Sequence, residues 1–209
     1  MQWTELTMWL YVIGLGYLVG SFPTAFLAGK RKKIDIRKHG SGNVGATNSF
    51  RVLGKVSGTI VLLIDIGKGF FFVYSVQTLI PQSDAKLYLE VVAAGMVPLG
   101  HMFPAWLNFK GGKGVATFSG VLLAISPLQV LIAGLIFFCT LYITRYVSLG
   151  SILAVSTLPV TFFLFFDLND SAPVFIFFVI LTVLILLLHI KNINRIASGT
   201  ESRIDNYVR

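Results

Sequence analysis

The sequence predicts an all-α membrane protein, a polytopic helix bundle of about seven transmembrane helices in a single domain over residues 1–209. Its N-terminus is expected outside and its C-terminus in the cytoplasm. Three observations lead there. Hydrophobic residues make up 55% of the chain and charged ones 12%, with a mean hydropathy of +0.80; such a chain lacks the polar residues to cover itself in water. Apolar stretches recur that suit a bilayer at roughly 20 residues per crossing. Positive charge is confined almost entirely to one alternating set of connecting segments, which orients the bundle.

The first apolar segment, residues 8–29, follows Glu5 and precedes the basic run Lys30–Lys33. A cleaved secretory leader carries its positive charge before the apolar core, so this order predicts a retained helix. The second segment, 57–80, is interrupted by Asp65, Lys68 and two glycines. Charges at such depth are costly and pair with one another, so an Asp65–Lys68 ion pair is expected to hold a Gly67/Gly69 face against a neighbouring helix. Pro81 to Asp84 form a turn. The third segment runs from about Leu87 to Leu99 and ends near His101 and Pro104. The apolar run from Val115 to Ile143 contains Ser126-Pro127, and a proline there ends or kinks a helix. It divides into a short segment reaching Ile125 and another over 128–144. The sixth segment covers 150–166; Asp167, Asn169 and Asp170 make the next turn; the seventh covers 173–190, before a polar tail. The single cysteine, Cys139, excludes a disulfide framework and a thiolate metal site and is expected in plain apolar packing.

With seven crossings, loops 30–56, 101–114 and 145–149 and the tail from 191 share one side. They hold 15 of the 17 Lys and Arg residues, whereas the opposite side has only Lys86 beside five acids. The positive-inside rule places the basic side in the cytoplasm. Five crossings, with the two shortest segments re-entrant or interfacial, keep the same sidedness.

Two glycine-rich inserts lie on that side. The first, GSGNVGATNSFRVLGK from Gly40 to Lys55, joins small hydroxyl and amide side chains to Arg51. Backbone N–H groups freed by glycine form a nest for an anion, a following helix start adds dipole and donors, and a guanidinium grips phosphate with a fork. The plainer reading is a flexible helix connection. GSGNVG matches the dinucleotide-binding pattern G-x-G-x-x-G, but that fingerprint requires a preceding strand, and here a membrane helix precedes it. The second insert, FKGGKGVAT, is not a Walker motif because glycine rather than Ser or Thr follows Lys113. It still sets Gly111, Gly112 and Gly114 beside two ammonium groups, a second candidate phosphate cradle or a flexible basic loop. At the end of the last segment, His189 and Asn192 are three apart and would share a helix face. His101, in GHMFP, is expected to orient a loop, and Ser148 and Ser151 either offer hydroxyls or cap the sixth helix.

The segments SGNVGATNSFRVLGK, GHMFPAWLNFKGGKGVAT and HIKNINRIASGTE, with DIGKG and RYVSLGS, resemble the signature motifs of the bacterial acyl-phosphate:glycerol-3-phosphate acyltransferases, in the same order over nearly the whole chain. The resemblance implies a seven-helix enzyme of the bacterial inner (cell) membrane with its site facing the cytoplasm. It implies transfer of a fatty acyl group from acyl phosphate to the 1-hydroxyl of glycerol 3-phosphate, giving lysophosphatidic acid and phosphate in phospholipid biosynthesis. Ser41, Gly42, Asn43 and Thr47 are assigned to the acyl-phosphate headgroup. Arg51, Lys113, Ser151, His189 and Asn192 are assigned to glycerol 3-phosphate, and Ser41, Arg51, Lys113, His189 and Asn192 form the catalytic set. No cofactor, metal or nucleic acid is expected; the partners are the two substrates, the bilayer and, by possible contact, other enzymes of phospholipid synthesis. Many glycerolipid acyltransferases use a His-x4-Asp pair, but Val44, Trp106 and Asn194 stand five residues after His39, His101 and His189. An Asp–His dyad therefore has to come from distant residues, and a phosphate oxygen of the substrate is the expected proton acceptor. The competing reading is a transporter of a phosphorylated small molecule. Its support is the Asp65–Lys68 pair and the Ser126-Pro127 break, against the absence of repeated halves.

Overall fold

The computed structural model describes residues 4–166 and 168–204, which are helical with no strand among them, in two compact units divided between Ile125 and Ser126. The first unit opens with a helix that changes character three times. Helix α1 (Glu5–Leu10) is capped by Thr4, passes through a π-helical turn at Tyr11–Leu15, and continues as α2 (Gly16–Ser21). Pro23 then breaks the path: it has no N–H and pushes Phe22 out of the helical region, to φ −59° and ψ 115°. Helix α3 (Thr24–Arg31) resumes and ends on Lys30 and Arg31, which suit the negative end of its dipole. Helix α4 (Ala46–Leu53) follows the first glycine-rich insert, α5 (Lys55–Leu79) is the longest helix described, and α6 (Lys86–Met102) and α7 (Val115–Ile125) complete the unit.

Close helix contacts rest on small residues, as is usual for helices in lipid. A Cβ at Gly20 would lie 2.1 Å from the Val97 carbonyl oxygen and one at Gly100 2.3 Å from that of Tyr17, so α2 and α6 meet backbone to backbone. Gly69 and Gly120 do the same for α5 and α7. The expected Gly67/Gly69 face is thus half right: Gly67 has only Phe71 of its own helix nearby.

The second unit contains α8 (Pro127–Thr144), α9 (Val147–Phe165), α10 (Leu168–Leu188) and α11 (Ile190–Ala197). Arg145, left-handed at φ 62°, closes the α8–α9 turn. Phe162 stacks on Phe166 and meets Phe178 edge to face, joining α9 to α10.

The seven expected segments are all helical, but they are not seven equal spans. Among the described residues five helices are long and apolar enough to cross a membrane, and a sixth is added if α10 and α11, bent by 55°, count as one. Val115–Ile125, at eleven residues, reaches only about 16 Å at 1.5 Å per residue, half of a hydrocarbon core. Asn169 and Asp170 belong to the start of α10 rather than to a turn, while Asp167 and Arg209 lie outside the described residues. Cys139 sits on the exposed apolar face of α8 with Leu135 and Phe138, not in the protein interior.

Candidate active site

The first insert is a loop built around one side chain. Asn48, 1% exposed on α4, accepts the Ser41 N–H at 2.9 Å and donates through Nδ2 to the carbonyls of Ile36, His39 and Asn43 at 3.2, 3.1 and 3.0 Å. The chain winds over the amide because Gly40 and Gly42 are left-handed, at φ 61° and 71°, and a Cβ on Gly40 would lie 2.3 Å from the Asn48 oxygen. Gly45 caps α4, whose first turn presents N–H groups at the loop. Lys32 donates to the Leu53 carbonyl at 2.6 Å and holds the far end of α4.

Five expected site residues come together here. Ser41 and Thr47 are exposed, Gly42 and Asn43 are half-buried, and the Arg51 side chain runs along Gly40. The Ser41 hydroxyl accepts the Asn43 N–H at 3.4 Å.

The second insert is built on backbone. The Gly111 and Gly112 N–H groups donate to the Met102 and His101 carbonyls at 3.0 and 3.1 Å, and Phe109 and Asn108 are both left-handed. Lys113, half-buried, stands between this tie and Gly114, left-handed at φ 79°. The two inserts converge. Val44 of the first and Gly111 and Gly112 of the second line one pocket with Ser21, Thr24 and His101, and Val44 shares an apolar cluster with Leu107. The Ser21 hydroxyl, buried in this lining, has no hydrogen-bond partner among the described residues.

Beneath the pocket the ion pair of α5 is present, with Lys68 Nζ 2.9 Å from Asp65. It is larger than the sequence indicated. The ammonium also meets the Gly20 carbonyl at 3.0 Å and His101 Nδ1 at 2.8 Å, and Thr24 donates to Asp65 at 3.1 Å. His101 Nδ1 lies 3.6 Å from Asp65, so an Asp–His neighbourhood is assembled from residues 36 apart. The His101 carbonyl and ring both adjoin Gly112 of the second loop.

The second unit holds the remaining expected residues, of which Asn192 binds a carboxylate. Glu201 accepts from the Ser148 hydroxyl at 2.8 Å, Asn192 Nδ2 at 2.7 Å and Arg195 Nε at 2.7 Å. Burial raises its pKa, but these hydrogen bonds and the guanidinium charge outweigh that and hold the carboxyl below its ordinary range. His189 and Asn192 do not share a continuous helix face: His189 is the residue at the break, capping α11, and its carbonyl accepts the Asn192 N–H at 2.8 Å. The His189 ring donates from Nδ1 to the Ile185 carbonyl at 2.8 Å, which leaves the lone pair of a neutral ring on Nε2. Ser151, one turn along α9 from Ser148, donates to the Val147 carbonyl, and neither serine caps the helix. Asn194 is exposed and outside this cluster. Among the described residues no group of three His, Cys, Asp or Glu side chains is gathered as a metal would require.

A family model for glycerol-3-phosphate acyltransferase matches residues 10–199. The chain belongs to the glycerol-3-phosphate acyltransferase family. It is 44% identical over 201 residues to the glycerol-3-phosphate acyltransferase of Desulforamulus reducens, covering 96% of each chain. To that of Endomicrobium trichonymphae it is 46% identical over 196 residues, covering 93% of this chain and 94% of the relative. Among solved structures it is similar to an integral membrane glycerol 3-phosphate acyltransferase, PlsY, in its glycerol 3-phosphate form. Identity there is 35% with a TM-score of 0.84 over 93% of this chain and 94% of that one; the lysophosphatidic acid form gives 0.81. Membership of this family decides against the transporter reading, and the Asp65–Lys68 pair finds its place under the second loop instead.

Sequence reasoning passed over Asn48 and Glu201, though both lie inside motifs it quoted. An asparagine beside a glycine run, and Glu201 as one of two acids in a basic tail, were the available signals.

Proposed function

We propose that this chain transfers a fatty acyl group from acyl phosphate to the 1-hydroxyl of glycerol 3-phosphate, releasing lysophosphatidic acid and phosphate. The observation that carries this reading is that two glycine-rich basic loops meet, Val44 of one lying beside Gly111 and Gly112 of the other, and both substrates bear phosphate. The relatives are named for glycerol 3-phosphate, and one solved neighbour is described in its lysophosphatidic acid form.

In this reading Ser41, Asn43 and Thr47 hold the acyl-phosphate headgroup through their side chains and the first-turn N–H groups of α4, while Gly42 turns the loop that carries them, the N–H groups of residues 41–43 being taken within that loop. Arg51, Lys113, Ser151, His189 and Asn192 are the residues assigned to glycerol 3-phosphate. Residues 1–209 act as one acyltransferase domain, with Ser41, Arg51, Lys113, His189 and Asn192 as its catalytic residues. The substrate hydroxyl oxygen attacks the acyl carbonyl, the acyl carbon–phosphate oxygen bond breaks, and phosphate leaves with the electron pair. The hydroxyl proton passes to a phosphate oxygen. Acyl phosphate is already activated, so alignment and stabilisation of developing charge account for the protein's contribution. The basic loops lie in the cytoplasm, the N-terminus outside and the C-terminus inside, in the bacterial cell membrane. Trp106 and Phe109, both 62% exposed beside the second loop, are the amphipathic and apolar rings that a membrane interface favours.

The test is to give purified protein labelled glycerol 3-phosphate with acyl phosphate, and in parallel with acyl thioester donors. Lysophosphatidic acid from acyl phosphate alone is the expected result; product from the thioester alone rejects the donor. The proton acceptor is tested by kcat/KM against pH. His189→Ala is expected to lose rate yet keep the wild-type profile, whereas a general base prints its own pKa on it.

A further inference from the structure

We propose that Asp65, Lys68 and His101 form a positioning unit that sets the Gly111–Lys113 loop and, through it, the Lys113 ammonium. The inference rests on the reading of Lys113 as a contact of glycerol 3-phosphate.

Its starting point is the break in the first apolar helix. At the Pro23 break the Thr24 N–H turns to the Phe22 carbonyl at 3.0 Å and the Gly20 carbonyl loses its helical donor; Lys68 Nζ stands 3.0 Å from the Gly20 oxygen and 3.4 Å from that of Phe22. An ammonium has three protons and no acceptor. Those of Lys68 go to Asp65, the Gly20 carbonyl and His101 Nδ1, at 2.9, 3.0 and 2.8 Å. Nδ1 therefore accepts, the imidazole is neutral, and its proton lies on Nε2. That edge faces the second loop: a Cβ on Gly112 would sit 2.1 Å from Nε2.

The same residue holds the loop by its backbone. The His101 carbonyl takes the Gly112 N–H and the neighbouring Met102 carbonyl takes that of Gly111. Gly112 is thus fixed on one side by a hydrogen bond and on the other by a ring whose tilt Lys68 sets. Lys113 is the next residue. An ion pair serving only to join helices would need neither a histidine turned toward the loop nor a glycine pressed on its ring. Asp65 and Lys68, 1% and 6% exposed in their side chains, are also buried too deeply to meet a substrate phosphate directly.

Three measurements on the full-length purified protein test the unit. The first is hydrogen–deuterium exchange across residues 103–118. His101→Leu and Lys68→Met should speed exchange at Gly111 and Gly112, while His101→Asn, which keeps an acceptor near the Nδ1 position, should stay close to wild type. Unchanged exchange in folded His101→Leu overturns the proposal, as does equal disruption by His101→Asn. The second is a double-mutant cycle on the Michaelis constant for glycerol 3-phosphate. His101→Leu should raise it by roughly 10–100-fold, as expected when a positioning contact is lost, and should add little in a Lys113→Ala background. Effects that simply multiply overturn the proposal. If Lys113→Ala leaves that constant untouched while exchange still quickens in His101→Leu, the role of Lys113 is wrong and the positioning of the loop stands. If 15N spectra of labelled histidine show His101 cationic or protonated on Nδ1, the Lys68 contact does not set the ring and the unit is rejected.

Discussion

The two glycine-rich loops do similar work by different construction. The Gly40–Gly45 loop is organised by the amide of Asn48, which reaches back no further than twelve residues, to the Ile36 carbonyl. The second loop has no such hub. It hangs from the last turn of α6 by two backbone hydrogen bonds, and the ring beneath it is held by charges on α5 and carbonyls of the broken first helix. A locally closed loop depends on a few neighbours and fails when its hub fails. A loop held through long-range contacts spreads the load over several helices, and its position answers to changes far along the chain.

The sharpest way to break this contrast is Asn48→Ala. It strands the Ser41 N–H and the Asn43 carbonyl, while the Ile36 and His39 carbonyls keep backbone donors, and a buried group left unpaired costs about 1–3 kcal/mol before relaxation. Thermal unfolding in detergent should shift down by an amount equivalent to about 3 kcal/mol, and the Michaelis constant for acyl phosphate should rise more than that for glycerol 3-phosphate. The reverse ranking would move the acyl-phosphate site off the first loop.

Lys113→Ala should act in the opposite sense. Loss of one charged hydrogen bond, worth about 1.5–3 kcal/mol, raises the constant for glycerol 3-phosphate by roughly 10–150-fold with little change in stability. An unchanged constant in folded protein counts against the assignment.

The glycines refine the comparison. Gly40→Ala meets two obstacles, a left-handed φ of 61° and the Asn48 oxygen, whereas Gly112→Ala meets only the His101 ring. The left-handed conformation alone costs roughly 1–2 kcal/mol for a residue with a Cβ. Gly40→Ala should therefore lower the unfolding temperature, and Gly112→Ala should mainly raise the constant for glycerol 3-phosphate. Equal loss of stability in both variants would erase the distinction between the loops.

The smallest effect concerns the Glu201 clamp, a local hub like Asn48 but a titratable one. Its carboxyl is held below its ordinary value of 4.5, so the clamp stabilises fully above that pH and is lost as pH falls through the lower folded value. Unfolding temperature should drop on acidification below about 4.5, and Glu201→Gln should flatten that part of the curve. A wild-type curve that is already flat there would show that the three donors do not depend on the charge.

Much of this was written in the chain itself. Composition and the basic loops made it an all-α membrane protein, Ser126-Pro127 marked the start of α8, and the glycine inserts marked the two loops that meet, because these follow from local chemistry and from the cost of placing charge in lipid. Even the shortness of Val115–Ile125 was legible, because Ser126-Pro127 ends that helix where the sequence marks it. Tertiary structure alone decided two things. His189 stands at a 55° bend because the chain turns there toward the Glu201 clamp, which no periodicity encodes. And His101, separated from Lys68 by 33 residues, joined it only when α5 and α6 packed. A sequence states which side chains can pair; which of them do is fixed by distances that exist only once the helices have met.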